Sequence, residues 1–131
     1  MASLFTKIIA GEIPCHKIYE DERYLSFLDI RPLKRGHALV IPKKEVNYIF
    51  DVEDDLLSGL ILCAKKVAKA IEKEVPCLRI GVMVAGLEVP HTHIHLVPME
   101  GLKDLNFANA KESNAEELAE LAKKIKGHLD S

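Results

Sequence analysis

Three histidines alternate with apolar or β-branched residues in the run His91-Thr92-His93-Ile94-His95-Leu96-Val97-Pro98. Successive side chains of a strand point to opposite faces, so this spacing predicts a β-strand that displays all three imidazoles in file on one side. Thr92, Ile94 and Leu96 give the other side the character that lies well on a core. The chain has six histidines, and half of them fall within these five residues. An imidazole with an ordinary pKa near 6.5 is unprotonated at neutral pH, so it can attack phosphorus or donate a hydrogen bond to phosphate oxygens. His93 has the best geometry for attack, because rings about 7 Å to either side can hold the oxygens around the reacting phosphorus. A metal site is the competing reading. His91 and His93 could share a zinc ion, but His91 and His95 stand about 13 Å apart on an extended strand, too far for one tetrahedral ion to take all three.

These rings need a scaffold, and the rest of the chain predicts an α+β one. Ser3 can cap a short helix that places Leu4, Phe5, Ile8 and Ile9 on one face, with Gly11 and Pro14 ending it. Residues 16–19 and 24–30 read as a hairpin across Glu20-Asp21-Glu22. The loop 31–36 leads to a strand over 37–41, on which His37, Leu39 and Ile41 share one face and Ala38 and Val40 the other; His37 could thus add a fourth imidazole. Acidic Asp51, Glu53, Asp54 and Asp55 open a long helix over 51–75, whose Leu56, Leu60, Ala64, Val67 and Ile71 recur at helical spacing before Pro76. The near-continuous apolar run 79–85 reads as a fourth strand buried on both faces, returned by Gly86-Leu87-Glu88 into the histidine strand. Asn114 and Glu117 form a capping box for a last helix with a Leu118, Leu121, Ile125 stripe, on which His128 is expected to be solvated. The expected fold is an antiparallel sheet of about five strands with a short N-terminal helix, a long central helix and a C-terminal helix. The helices lie on one side, and the histidine row lines a cleft on the other or at the sheet's edge.

The 131 residues, 48% of them hydrophobic, suit a single domain over 1–131, with a core in 3–100 and an extension carrying the last helix in 101–131. A net charge of −2 without a sustained basic run argues against nucleic acid or an anionic membrane as partner. Cys15, Cys63 and Cys77 are widely spaced and form no Cys-x-x-Cys, which points to a reducing cytoplasm. The N-terminus lacks an uninterrupted apolar segment, and the longest apolar stretch, 56–64, is broken by Ser58 and Gly59, so a soluble, unsecreted protein is expected.

The triad and three further blocks together resemble a known family. Leu4-Phe5-x-Lys7-Ile8-Ile9-Ala10-Gly11-Glu12-Ile13-Pro14, Phe27-Leu28-Asp29-Ile30 and Gly36-His37-Ala38-Leu39-Val40-Ile41-Pro42-Lys43-Lys44 precede the triad in the order and spacing of the histidine triad (HIT) proteins, similar to their Hint branch. The resemblance implies a nucleotide hydrolase, cleaving at the α-phosphate of purine nucleoside phosphoramidates or adenylates. His93 would form a nucleotidyl-histidine intermediate, while His95, His91 and His37 orient the phosphate or assist proton transfer. It also implies that Asp29 accepts from the ribose hydroxyls, that Phe5, Ile8, Phe27, Ile30 and Leu39 wall the base, that no cofactor is needed, and that the chain forms a homodimer. Many relatives build a structural zinc site from a Cys-x-x-Cys and a later histidine; Ser3, Thr6 and Glu45 stand there instead, so no metal is expected. The loop 85–88 is shorter than in typical Hint proteins, lacks their Asn and Gln, and offers Glu88 for proton handling near the leaving group. A dinucleoside polyphosphate hydrolase and a nucleotide-binding scaffold with vestigial catalysis remain as alternatives.

Overall fold

Along two central strands every residue is buried, and alternate side chains enter two separate apolar layers. In the computed structural model, which describes residues 2–129, β1 (His16–Glu20), β2 (Tyr24–Leu28), β3 (Ala38–Pro42), β4 (Arg79–Met83) and β5 (Ile94–Met99) form one sheet in the order β1-β2-β3-β5-β4. Every pairing is antiparallel. Ala38, Val40, Ile94 and Leu96 face one layer, with Leu60, Val67 and Ile71 of α2 (Asp54–Glu74) and Leu118, Leu121 and Ile125 of α3 (Ala115–Leu129). Leu39, Ile41, Leu25 and Phe27 face the other, closed by Phe5, Ile8 and Ile9 of α1 (Leu4–Ile9). The two long helices therefore share a side as expected, whereas the short α1 crosses to the opposite side and roofs a second, smaller core.

Local signals set most element ends. Ser3 Oγ accepts from Thr6 N at 3.1 Å at the start of α1, and Asn114 Oδ1 accepts from Glu116 N at 2.7 Å at the start of α3. The long helix begins at Asp54, later than its acidic run suggests, because Ile49–Asp51 turns as a separate 3-10 segment. Two further 3-10 turns, Leu102–Leu105 and Phe107–Asn109, follow β5. Gly81 in β4 is a close approach: a Cβ there would meet Met99 Sδ at 2.6 Å and Leu105 Cδ2 at 3.0 Å, so any larger residue would make those two side chains shift.

Three expectations need correction. β4 is not buried on both faces: it is an edge strand none of whose five residues is buried, with Val82 60% exposed. Its apolar run reflects an open edge, and composition alone does not distinguish that from a central position. The strand bearing the triad starts only at Ile94; ahead of it His91 N donates to Val89 O at 2.8 Å and Thr92 N to Val46 O at 2.7 Å, which turns the backbone out of the ladder. His128 is half-buried rather than solvated, with Nε2 3.0 Å from Glu74 Oε1 at the end of α2.

Candidate active site

The proton positions on four histidines follow from backbone groups that can act in only one way. Leu33 N can only donate, and it lies 3.0 Å from His37 Nδ1, so that nitrogen accepts. Burial drives His37 down to about 4, so the ring is neutral and carries its proton on Nε2. That Nε2–H donates to His95 Nδ1, 2.9 Å away. His95 is likewise pushed to about 4, by burial first and then by the neighbouring His37, so it too is neutral and holds its proton on Nε2. His93 is fixed from the other side: the His91 carbonyl can only accept, and His93 Nδ1 lies 2.7 Å from it, so Nδ1 carries a proton and the lone pair of the neutral tautomer belongs to Nε2. Two adjacent rings, 4.9 Å apart at their centroids, thus present complementary edges, a nucleophilic nitrogen on His93 and an N–H donor on His95.

Both rings stand at the wall of a cavity of about 320 Å³ on the α1 side of the sheet. Phe5, Ile8, Phe27 and Leu39 line its apolar part. Asp29 and Ile30, carried past the end of β2, line it near the histidines, and Glu88 lines it from the loop that follows β4. Asp29 Oδ1 accepts from Arg31 N at 2.9 Å, and its Oδ2 lies 3.6 Å from His37 Nε2. Burial raises the Asp29 carboxyl above its usual range, against the lowering pull of that backbone N–H.

The two remaining predicted histidines do not line this cavity. His37 stands behind His95 as its hydrogen-bond donor. His91 turns its ring away: Nε2 donates to Pro42 O at 2.8 Å, and Nδ1 lies 3.0 Å from Ser3 Oγ. The file of three rings expected from the alternation is therefore a pair at the cavity, and the third takes part through its carbonyl. Phe107, in the second 3-10 turn after β5, lines the cavity and sets its ring 5.0 Å from His95, edge to face. It and Cys15 were not singled out from the sequence. A lone aromatic in an irregular segment carries no periodic signal, although its position shortly after the triad strand is a clue.

Metal readings fare poorly on the same hydrogen bonds. Asp29, His37 and His95 can bring one ligand atom each within 4.8 Å of one another. The Leu33 amide, however, keeps the proton on His37 Nε2, the atom a metal would need bare. His91 and His93 cannot share an ion in this arrangement, since His91 spends both ring nitrogens on Pro42 and Ser3.

A HIT-domain profile matches residues 10–102. The chain belongs to the HIT-domain family. It is 40% identical over 129 residues to an uncharacterized HIT-like protein of Methanocaldococcus jannaschii, covering 95% of this chain and 98% of that one. It is 35% identical over 132 residues to a protein named adenosine 5'-monophosphoramidase of Saccharomyces cerevisiae, covering 98% of this chain and 84% of that one. Among solved structures, a HIT-like protein of Bartonella henselae superposes with a TM-score of 0.85 at 36% identity, covering 96% of this chain and 95% of that one. A zinc-bound histidine triad protein of Mycobacterium smegmatis superposes with a TM-score of 0.84 at 28% identity, covering 99% and 94%.

The cluster of Ser3, Thr6, Glu45 and His91 does not fit a structural zinc. Ser3, Thr6, Glu45 and His91 do come together, but two of the four are alcohols, and His91 Nδ1 already faces Ser3 Oγ at 3.0 Å. Thr6 Oγ1 donates to Glu45 Oε1 at 2.5 Å, which leaves no thiolate and no free imidazole edge for an ion that prefers them.

Proposed function

We propose that this HIT protein is a nucleotide hydrolase that cleaves purine nucleoside phosphoramidates or adenylates at the α-phosphate through a nucleotidyl-His93 intermediate. One observation carries the reading: a tautomer-fixed pair, bare Nε2 on His93 beside Nε2–H on His95, at the wall of an apolar cavity large enough for a small ligand. The His93 Nε2 lone pair forms a bond to the α-phosphorus. The bond from phosphorus to the leaving nitrogen or oxygen breaks, and the leaving group takes that electron pair and a proton from water. His95 Nε2–H donates to a non-bridging oxygen as charge builds there. A water then attacks the same phosphorus and gives its proton to the hydroxide left by the first step; the bond from phosphorus to His93 Nε2 breaks, its electron pair returns to the ring, and a nucleoside monophosphate is released. Phe5, Ile8, Phe27, Ile30 and Leu39 would hold the base, Asp29 would accept from the ribose hydroxyls, and Glu88 would stand near the leaving group.

The relative named adenosine 5'-monophosphoramidase supports the substrate class. Quenching the protein with adenosine 5'-monophosphoramidate and digesting it should give an adenylyl mass on the peptide that carries His93, absent in His93→Ala. Turnover by folded His93→Ala at the wild-type rate would reject the nucleophile.

We further propose a homodimer joined at the exposed β4 edge, and residence in the cytoplasm. The three cysteines are free, and among the described residues no helix is long and apolar enough to cross a membrane.

A further inference from the structure

At the N-terminal end of the sheet a chain of hydrogen bonds runs from an exposed carboxylate to the carbonyl that holds His93. Glu45 Oε1 accepts from Ser3 N at 2.7 Å and from Thr6 Oγ1 at 2.5 Å. Ser3 Oγ lies 3.2 Å from Thr6 Oγ1 and 3.0 Å from His91 Nδ1. Each hydroxyl has one hydrogen to give. The carboxylate takes the one on Thr6, so the single Ser3 hydrogen is left to go either to Thr6 Oγ1 or to the nearer His91 Nδ1. His91 Nε2 spends its proton on Pro42 O, and burial keeps the ring neutral, so Nδ1 must accept. Ser3 is the donor that remains at hydrogen-bond distance, with Thr6 Oγ1 further off at 3.5 Å. Ser3 and His91 are both buried, at 5% and 0% exposure, so no solvent replaces this contact freely. The same bonds hold Glu45 at about 2, well below the usual carboxylate range.

We propose that Ser3, Thr6 and Glu45 are positioning residues. In the place of a metal ion, they satisfy Nδ1 of the His91 ring, whose proton Pro42 O already holds on Nε2, and so fix the ring's position, so that the His91 carbonyl stays aimed at His93 Nδ1. The proposal rests on the reaction proposed above only for its kinetic consequence; the tautomers are set by the hydrogen bonds alone. It also gives α1 a second task. The helix roofs the apolar cavity through Phe5 and clamps His91 through Ser3, so the base wall and the nucleophile are held by one six-residue element.

The test uses the full chain with ¹⁵N-labelled histidine. In the wild type the ¹⁵N signals should show His91 as the Nε2–H tautomer and His93 as the Nδ1–H tautomer near neutral pH. In Ser3→Ala/Thr6→Val, His91 Nδ1 loses its buried donor, so the His91 Nδ1 signal and, through the carbonyl, the His93 Nδ1–H signal are expected to shift. With adenosine 5'-monophosphoramidate, kcat should fall on the order of tenfold with KM within twofold, because the nucleophile is displaced while the base wall is kept. Ser3→Thr, which keeps the hydroxyl, should restore both signals and rate. Two results overturn the proposal: a folded double variant with wild-type histidine signals, or one whose kcat is unchanged while only its melting temperature falls. Should the wild type not turn over phosphoramidates at all, the ¹⁵N arm still decides. Altered His91 and His93 nitrogen signals would leave the pinning network standing and reject the reaction, and unaltered ones would reject the network.

Discussion

At the scale of single residues, the candidate site depends on imidazoles kept neutral by burial, and that has a cost at low pH. His37 has an unfolded pKa near 6.5 and a folded value of about 4. Between those values the unfolded chain takes up a proton that the folded chain refuses. The stability from the neutral ring is therefore fully present above about pH 6.5 and is lost as pH falls toward 4. A shift of this size corresponds to about 3 kcal/mol for His37. His95 shifts in the same direction and partly because of His37, so the two do not simply add. Melting curves between pH 4 and 7 should show a falling melting temperature as acid is added, and His37→Gln should flatten that dependence. An equally steep fall in the variant would mean that other groups carry it. Asp29 makes a different demand. Asp29→Asn removes the charge expected to accept from two hydroxyls, worth about 1.5–3 kcal/mol in a charged hydrogen bond. KM should rise at least about tenfold with kcat little altered. Steady-state kinetics with adenosine 5'-monophosphoramidate check this, and a variant that loses kcat at constant KM would place Asp29 in the proton relay instead.

At the scale of elements, the loop between β2 and β3 matters as much as any strand, because it delivers the Leu33 amide that orders the relay. Gly36 closes that loop at φ +93°, and a Cβ there would meet Pro98 Cγ and Val75 Cγ2 at 3.1 Å. Gly36→Ala thus combines left-handed backbone, about 1–2 kcal/mol, with a tight contact. It should lower the melting temperature and also kcat, by shifting Leu33 from His37; calorimetry and kinetics on the same variant would separate the two effects. Elements were legible in the sequence wherever a period met a cap. Asn114 with the Leu118, Leu121, Ile125 stripe gave α3, and the alternation of Ala38 and Val40 against Leu39 and Ile41 gave both faces of β3. The histidine row was only half legible. Alternation predicts facing while the strand is straight, and the Val89 and Val46 carbonyls bend the chain before Ile94, sending His91 to Ser3. Phe107 was missed because its contact with His95 depends on how a 3-10 turn folds back over the sheet, which no short-range pattern records. The Ser3, Thr6, Glu45 network was visible only as an absence of metal ligands, since its order depends on which hydroxyl gives its hydrogen to which acceptor.

At the scale of the whole molecule, the sheet ends on one side in a strand with no outer partner among the described residues. Among the described residues β4 pairs only with β5, so one row of its amide and carbonyl groups is left open; Val82 within it is 60% exposed and Leu78, just ahead of it, 73%. An open apolar edge is a template for another strand, and a second copy of β4 is the natural one: two edges meeting antiparallel across a twofold axis satisfy each other's backbone groups with the same residues on both sides. The exposed Ile61 and Leu62 of α2, which packs near β4, would add apolar area to such a junction. Val82→Lys places a charge in the middle of that edge without touching the cavity, since Val82 does not line it. In sedimentation velocity the wild type should run at about twice the 14.6 kDa chain mass and Val82→Lys at the chain mass itself. Because association stabilises only the folded, paired state, the wild-type melting temperature should rise with protein concentration and that of the variant should not. A wild type that sediments as one chain at all concentrations would reject the homodimer, and would require some other partner or a purely solvated role for the β4 edge.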